Sequence, residues 1–296
     1  MTTDPHVAIF EAHRARLVGL AYRMLGEVSE AQDVVQDAYL RWREQHDVRR
    51  PEAWLTTVVT RLCLNRLESA RARRESLAGQ WLPEPVATGA GVLGPVETAE
   101  QRESVSIGLL VLLERLSPPE RAVFVLHEAF GYRHAEIAKV LEVNEAHCRQ
   151  LLRRARRRLA DGRRRFSYDR QRHAVLLERF FAASLRGDLQ GLQQLLADDV
   201  VAWADGDGEH VARRPVVGAS KVARYLVGIA RRGAQADRME FLLREVNGAL
   251  AVVGLAEGEV AAVCAADVID IEPLGPRVSR VYLMVAPRKL RYALAE

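Results

Sequence analysis

The chain contains little cysteine: Cys63, Cys148 and Cys264 are scattered and form no C-x-x-C pair. An odd number of separated cysteines argues against a disulfide framework and against a zinc site. No apolar run approaches the roughly 18–20 residues of a membrane span, and the first residues do not read as a signal peptide. We therefore expect a cytoplasmic protein that does not insert into a membrane and that carries no metal ion and no cofactor.

Two stretches of the chain almost lack acidic residues. Residues 153–165 contain eight arginines and one aspartate, and residues 71–74 contain three arginines, although the formal net charge of the chain is only +4. Positive charge concentrated in two separate patches indicates two contacts with one polyanion. Two solvated helix faces are the alternative, but such faces usually mix charges of both signs.

The most informative motif lies at residues 131–160, which read as two helices joined by a tight turn. Asn144 follows the turn and is placed to cap the second helix. The apolar residues of that helix recur at the spacing of one buried α-helical face, namely Cys148, Leu151, Leu152, Ala155 and Leu159. This pattern is typical of a helix-turn-helix, whose second helix enters the major groove of DNA.

The opposite face of the second predicted helix carries the candidate DNA contacts. Its first residues would reach base edges, and the arginines behind them would neutralise phosphates. The candidates are His147, Arg149, Gln150, Arg153, Arg154 and Arg157, with Arg156 on the same face. A basic amphipathic helix lying on a protein surface is the alternative interpretation.

Composition divides the chain into four segments. Residues 1–75 show helical periodicity, with Pro51 at the first turn of a third helix. Residues 76–102 are rich in glycine and proline and read as a linker. Residues 103–167 form a second predicted helical domain, in which Ser117 and Glu120 make a capping box. Residues 168–296 predict three helices and a curved antiparallel sheet, which together form an α+β cone; the predicted strands are 239–246, 249–255, 260–271 and 277–285.

The segment Trp81–Pro85 differs from the rest of the predicted linker. A Trp-Leu pair held between two prolines is stiff and apolar, which is the composition of a docking segment rather than of a free linker. On composition alone, an incidental tryptophan explains the segment equally well.

The motifs together resemble a known family. Residues 10–75 look like region 2 of an extracytoplasmic-function sigma factor, through AQDVVQDAYLRW and PEAWLTTVVTRLCLNRLESARARRE. Residues 103–160 look like region 4, through LSPPERAVFVLHEAFGYRHAEIAKVLEVNEAHCRQLLRRARRRL. The last part is similar to the SnoaL, ketosteroid-isomerase-like cone. The resemblance therefore implies a multidomain protein, with two all-α domains followed by an α+β regulatory domain.

The resemblance implies a function and its partners. In this family a region 2 helix docks on the β′ clamp of core RNA polymerase, which assigns polymerase binding to Asp33, Gln36, Asp37 and Arg41. The next helix captures the −10 element as a single strand, which assigns that role to Thr60, Arg61, Asn65, Arg66, Arg71, Arg73 and Arg74. Region 4 binds the −35 element as a duplex through the candidates above. We expect a sigma factor that directs promoter-specific transcription initiation. We expect it to have no catalytic activity of its own and to be a monomer when free.

The C-terminal segment departs from the subgroup that it resembles. That subgroup carries a DGGGK-like and an NPDKL-like segment, where this chain has residues 205–209 (DGDGE) and 286–290 (APRKL). We hypothesise that this domain regulates the sigma regions in cis, and the candidate interdomain residues are Trp81, Leu82, Pro83, Asp205 and Lys289. A small-molecule ligand in the cone is a further possibility. The acidic loop lacks the twelve-residue calcium pattern, so we predict a plain turn.

Two other functions are open at this point. A helix-turn-helix regulator with a ligand-sensing domain would explain residues 131–160 but not the helical domain at residues 10–75. A SnoaL-type isomerase or hydrolase would need a polar constellation inside the cone. Asp205, His210 and Tyr225, beside Trp203, are candidates for it, but no spacing specifies a triad.

Overall fold

The computed structural model describes residues 5–45, 48–74, 80–93, 99–163, 170–206, 211–236 and 239–294. The chain divides into two units. The helical unit comprises Met1–Leu77, Gly91–Val105 and Leu109–Ala160, and the C-terminal unit comprises Ala78–Ala90, Ser106–Gly108 and Asp161–Glu296. No helix in the described ranges has the length and apolar character needed to cross a membrane.

The helical unit begins with three helices, α1 (Pro5–Leu25), α2 (Val28–Arg43) and α3 (Pro51–Arg74). Gly26 lies between the first two with φ of 79°, a left-handed conformation that lets α1 end and the chain turn within two residues. Helix α1 packs against both α2 and α3. Their shared core contains the fully buried side chains Phe10, Leu17, Leu20, Tyr22, Met24, Val34 and Leu55.

Five further helices complete this unit: α4 (Ala99–Glu103), α5 (Ile107–Leu113), α6 (Pro118–Phe124), α7 (His134–Leu141) and α8 (Glu145–Arg163). The backbone N–H of Ser117 donates to the Glu120 carboxylate at 3.0 Å, so the predicted capping box is present. After Phe124 the chain continues as a wider π-helical turn, Val125–Ala129.

Helix α3 fully buries only part of the apolar stripe that its spacing favours, and it buries two threonines as well. Helical spacing favours a core stripe of Trp54, Leu55, Val58, Val59 and Leu62, whereas the buried residues are Leu55, Thr56, Val59, Thr60, Cys63 and Leu67. The reason is that α3 packs against α1 and α2 on one side and against α6 and α7 on another. A second packing partner adds polar positions to the interior, which a single amphipathic stripe does not predict.

The C-terminal unit contains helices α9 (Arg170–Arg186), α10 (Leu189–Leu195) and α11 (Ala219–Ala236). Its strands are β1 (Leu196–Asp205), β2 (Val216–Val217), β3 (Glu240–Val246), β4 (Ala249–Ala256), β5 (Glu259–Ile271) and β6 (Gly275–Met284). They form one sheet in the order β2-β1-β6-β5-β4-β3. The helices pack on this sheet through a core that includes Phe180, Leu192, Val222 and Val281. The predicted fold class, two helical regions followed by an α+β domain, is confirmed.

The prediction of a purely antiparallel sheet is wrong at one pair of strands. Strand β1 pairs in parallel with β6, because the chain crosses over through α11 and the β3–β5 meander before it returns beside β1. The other pairs are antiparallel. The Asn247-Gly248 and Glu257-Gly258 pairs between these strands form two-residue turns with positive φ at all four residues, as the primed hairpin turns require.

Candidate functional site

Helix α8 has the two faces that its periodicity predicts. The Asn144 side-chain oxygen accepts from the His147 backbone N–H at 2.7 Å and caps the helix. Glu142 adopts φ of 56° in the turn that follows α7. The five predicted apolar positions of α8, from Cys148 to Leu159, are all buried. Residues 134–163 therefore form the helix-turn-helix.

The arginines of α8 differ in what they contact. All six candidates for duplex contact, His147, Arg149, Gln150, Arg153, Arg154 and Arg157, are exposed. Arg149 pairs with Glu145, and Arg154 lies 3.7 Å from the buried Glu120. Arg156 pairs with Glu128 at 2.7 Å, and Arg158 pairs with Glu120 at 2.6 Å. The last two arginines therefore brace α8 against the preceding helices, which the arginine count of the sequence does not reveal.

The four candidates for polymerase binding lie together on α2. Asp33, Gln36, Asp37 and Arg41 are exposed, while Val34, Val35, Ala38 and Trp42 are buried on the other face. The guanidinium of Arg66 lies 3.8 Å from the Asp33 carboxylate and 3.6 Å from that of Asp37. This surface of α2 is thus bordered by a cation from α3.

The α3 candidates for the −10 element do not form one open surface. Thr60 is fully buried, and its hydroxyl has no hydrogen-bond partner among the described residues. Arg66 bonds to Glu30 of α2 at 2.8 Å. Arg61 and Asn65 are exposed, whereas the side chains of Arg71, Arg73 and Arg74 lie outside the described residues. The expectation that Thr60 is a surface contact is therefore corrected for this conformation, because α6 and α7 pack on α3.

A set of polar contacts joins α3 to the helix-turn-helix. Arg61 donates to the Val140 carbonyl at 3.2 Å and pairs with Glu142 at 2.7 Å. The hydroxyls of Thr56 and Tyr132 lie 3.0 Å apart. Arg61, a candidate for the −10 element, thus contacts the turn of the module assigned to the −35 element.

Two buried arginines also join separate segments of the helical unit. Arg121, which is 4% exposed, donates to the Met24 carbonyl at 2.8 Å and to the Leu113 carbonyl at 3.1 Å. Arg23 donates to the Ser104 hydroxyl at 3.0 Å. Burial lowers the pKa of Arg23 to about 10, although Tyr22 acts in the opposite direction, so Arg23 stays charged at neutral pH. Sequence reasoning missed both arginines, and its only signal was a cation within an otherwise apolar helix.

The C-terminal unit binds the Trp81–Pro85 segment through a buried ion pair. Lys289 donates to the Asp205 carboxylate at 2.7 Å and to the Leu82 carbonyl at 2.6 Å. The Leu82 N–H donates to the same carboxylate oxygen at 2.9 Å, and the Lys289 ammonium lies 4.9 Å from the centre of the Trp81 ring. The Lys289 and Asp205 side chains are only 3% and 6% exposed. We call Trp81, Leu82, Asp205 and Lys289 the linker clasp.

Backbone contacts extend this attachment along the chain. Val86 donates to the Asn247 side chain at 2.8 Å, and the Asn247 N–H returns a bond to the Val86 carbonyl at 2.8 Å. Ala87 donates to the Tyr292 carbonyl at 2.7 Å. Residues 80–90 consequently belong to the C-terminal unit, although the sequence places them between the two sigma-like regions. The role of Asn247 was missed because Asn-Gly reads only as a turn.

The candidates for a catalytic constellation are separated or already bonded. The Asp205 carboxylate accepts from Lys289 and Leu82, so it is not placed as a free base. The Tyr225 hydroxyl accepts from the Ala212 N–H at 3.3 Å. Trp203 stacks on Tyr282 with ring centres 5.6 Å apart, and His210 lies outside the described residues.

Comparisons with known proteins identify the family of the two helical segments. Residues 9–73 match the family model for Sigma-70 region 2, and residues 107–159 match that for Sigma-70, region 4. The chain is 42% identical over 229 residues to the ECF RNA polymerase sigma factor SigJ of Mycobacterium tuberculosis, covering 76% of this chain and 73% of that protein. It is 34% identical over 303 residues to the probable ECF RNA polymerase sigma factor SigI of the same species, covering 99% and 97%. The crystal structure of SigJ superposes with a TM-score of 0.71 at 33% identity, covering 96% of this chain and 97% of that one.

Proposed function

Because the chain belongs to the extracytoplasmic-function RNA polymerase sigma factors, we propose that its exposed faces divide into a polymerase-binding, a promoter-binding and a regulatory surface. A sigma factor directs transcription initiation by core polymerase and is not itself an enzyme. The observation that carries the regulatory part is the linker clasp, because it fixes the segment between the two sigma regions in the C-terminal unit.

The proposed polymerase-binding surface is the exposed face of α2, formed by Asp33, Gln36, Asp37 and Arg41. It would contact the β′ clamp of core polymerase, and the protein would act in the cytoplasm, where that enzyme transcribes. The buried opposite face of α2 supports this assignment, since it leaves one charged face available to a partner.

We expect Asp37→Lys to weaken binding to purified core polymerase at least tenfold, because it reverses a charge at the centre of this surface. Binding is measured by fluorescence anisotropy with the labelled full-length chain. The matched control is Asp198→Lys, an exposed aspartate on β1. Equal affinities for the two variants would remove the proposed surface, and no association of the wild type with core polymerase would remove the whole function.

The proposed −35 reader is the face of α8 with His147, Gln150, Arg153 and Arg157. None of these four has an ion pair with the described residues, in contrast to Arg156 and Arg158. The helix-turn-helix geometry supports a position in the major groove, with phosphate contacts setting the register.

Replacing Arg153 by alanine is expected to weaken promoter binding by the polymerase complex and to lower the slope of log K against log salt by about 1. Arg156→Ala is the matched control, because its guanidinium is held by Glu128. The measurement is a salt titration of promoter binding at fixed polymerase concentration. A larger loss for Arg156→Ala than for Arg153→Ala would contradict the orientation of α8.

The proposed −10 reader is the C-terminal half of α3, including Arg61, Asn65 and the arginines at 71, 73 and 74. Arg61 contacts Val140 and Glu142 in the present arrangement, so the helix-turn-helix must move away from α3 before a single strand can bind there. We propose that the described helical unit is the closed state that precedes promoter binding.

The proposed regulator of this opening is the linker clasp. If they were free, the 24 residues between the end of α3 at Arg74 and the start of α4 at Ala99 would have a root-mean-square span of about 27 Å. When residues 80–90 are bound in the C-terminal unit, fewer linker residues are free to extend as the helix-turn-helix moves away from α3. Binding of these residues therefore favours the closed state. A ligand of the C-terminal unit would act on the same equilibrium.

A further inference from the structure

The C-terminal unit contains a cavity of about 930 Å³ that is lined by α9, α11 and the sheet and is partly open to solvent. Its walls are apolar side chains from both helices and four strands, among them Phe181, Leu226, Phe241, Val252 and Leu283. The register places them on one face, because Val252 lies opposite Cys264 and Cys264 lies opposite Leu283. A cavity of this size and lining accommodates a drug-sized apolar molecule.

The cavity wall carries few polar groups. The Ser184 hydroxyl donates to the Phe180 carbonyl of its own helix at 2.9 Å and is therefore already bonded. Burial raises the pKa of the Cys264 thiol to about 12, so this group is neutral. Among the described lining residues only Arg232 carries a charge, and it is exposed on α11. The wall thus combines a long apolar surface with one accessible cation.

We propose that this cavity binds an amphipathic carboxylate, whose apolar body fills the space between the helices and the sheet and whose anionic group pairs with Arg232. The chemistry follows from the lining: an apolar body gains from burial, and a guanidinium prefers a planar, bidentate anion. A strongly polar ligand would leave its hydrogen-bonding groups unsatisfied against this wall.

The cavity shares two chain segments with the linker clasp. Gly206 lines the cavity and follows Asp205, while Val285 and Pro287 line it and precede Lys289. The backbone N–H groups of Val285 and Ala286 donate to the Asp205 carbonyl at 2.8 and 3.2 Å. A ligand that orders these segments therefore stabilises the closed clasp and lowers transcription. This consequence rests on the proposed regulatory function, whereas binding itself does not.

Binding is tested by isothermal titration of the full-length chain with dodecanoate, using dodecanol as the neutral comparison. We expect dodecanoate to bind and Arg232→Gln to weaken it at least tenfold, to the affinity of dodecanol. The matched control is Arg231→Gln, an exposed arginine on the same helix that does not line the cavity, and it is expected to bind as the wild type does. No binding of dodecanoate, or equal losses in the two variants, would overturn the proposal.

A cavity-filling variant gives a second, steric readout. Ala230→Phe places a ring in the cavity and is expected to abolish binding, whereas Ala234→Phe, on the exposed face of α11, retains it. Thermal unfolding of each variant establishes that it is folded, and Arg232→Gln decides the question if Ala230→Phe is not. Retained binding in a folded Ala230→Phe protein would place the ligand elsewhere and overturn the proposal.

Run-off transcription tests whether ligand binding in the cavity also changes transcription. With core polymerase and a cognate promoter, we expect dodecanoate to reduce the transcript made with the wild type but not with Arg232→Gln. Binding without any change in the transcript would reject the coupling to the clasp and leave the site itself in place. Failure to bind core polymerase would instead reject the proposed function and not the site.

Discussion

Replacing Lys289 by methionine is expected to free the linker from the C-terminal unit and to raise promoter-dependent transcription several-fold. The substitution removes the ammonium that bonds to both Asp205 and Leu82, so it leaves the Asp205 carboxylate buried without its counter-charge. Breaking such a pair on one side costs about 3–5 kcal/mol of stability. The free energy of unfolding of the C-terminal unit should fall by that order, because Met fills the volume but supplies no charge.

The measurements are urea unfolding of the full-length chain, limited proteolysis within residues 80–90 and run-off transcription. Lys221→Met is the matched control, because Lys221 is exposed on α11. The double variant Asp205→Asn with Lys289→Met removes both charges and is expected to recover part of the lost stability. If Lys289→Met exposes the linker to protease yet leaves transcription at the wild-type level, the clasp is not regulatory.

The second large effect is expected from Arg121→Met in the helical unit. The Arg121 guanidinium bonds to the carbonyls of Met24 and Leu113 and lies 2.8 Å from the Glu114 carboxylate. Its loss leaves buried acceptors without donors, and we expect the free energy of unfolding of this unit to fall by about 3 kcal/mol. Because Met24 belongs to α1 and Arg121 to α6, the same change also loosens the closed state.

Circular dichroism during urea unfolding measures the stability, and binding of a single-stranded −10 oligonucleotide measures the opening. We expect Arg121→Met to lose stability while binding the oligonucleotide more tightly, a combination that simple destabilisation does not produce. Arg115→Met, at an exposed position nearby, is the control for both measurements. Equal unfolding midpoints for the two variants would show that Arg121 contributes nothing to this packing.

The helix-turn-helix and the hairpins were accessible from sequence because their signals are local. Periodicity identified every buried position of α8 from Cys148 to Leu159, and Asn144 identified its cap. The strands predicted at 239–246, 249–255 and 260–271 located the meander, whose turns at 247–248 and 257–258 have positive φ. Trp81 and Leu82 were singled out by the stiff, apolar composition of residues 81–85, and Asp205 and Lys289 by the family resemblance; the structure brings the four residues into contact.

The structural features that the sequence did not predict have a common physical cause. The parallel pair of β1 with β6 depends on where the chain returns after α11, and the burial of Thr60 depends on a second layer of helices on α3. The bracing roles of Arg121 and Arg156 depend on carbonyls and carboxylates that are distant in the sequence. None of these contacts leaves a pattern within one helix or one strand.

By itself the amino-acid sequence determined the order of the modules, the buried and exposed faces of α8 and the β-meander, since helical and strand periodicities and turn chemistry act over a few neighbouring residues. Only the tertiary structure decided which arginines brace α8 and which face outward, and that the α3 face assigned to the −10 element is covered. It also decided that residues 80–90 of the linker belong to the C-terminal unit and that a cavity lined by one arginine adjoins the linker clasp. These properties arise from pairing between residues far apart in the chain, whose free energies exist only once the chain is packed.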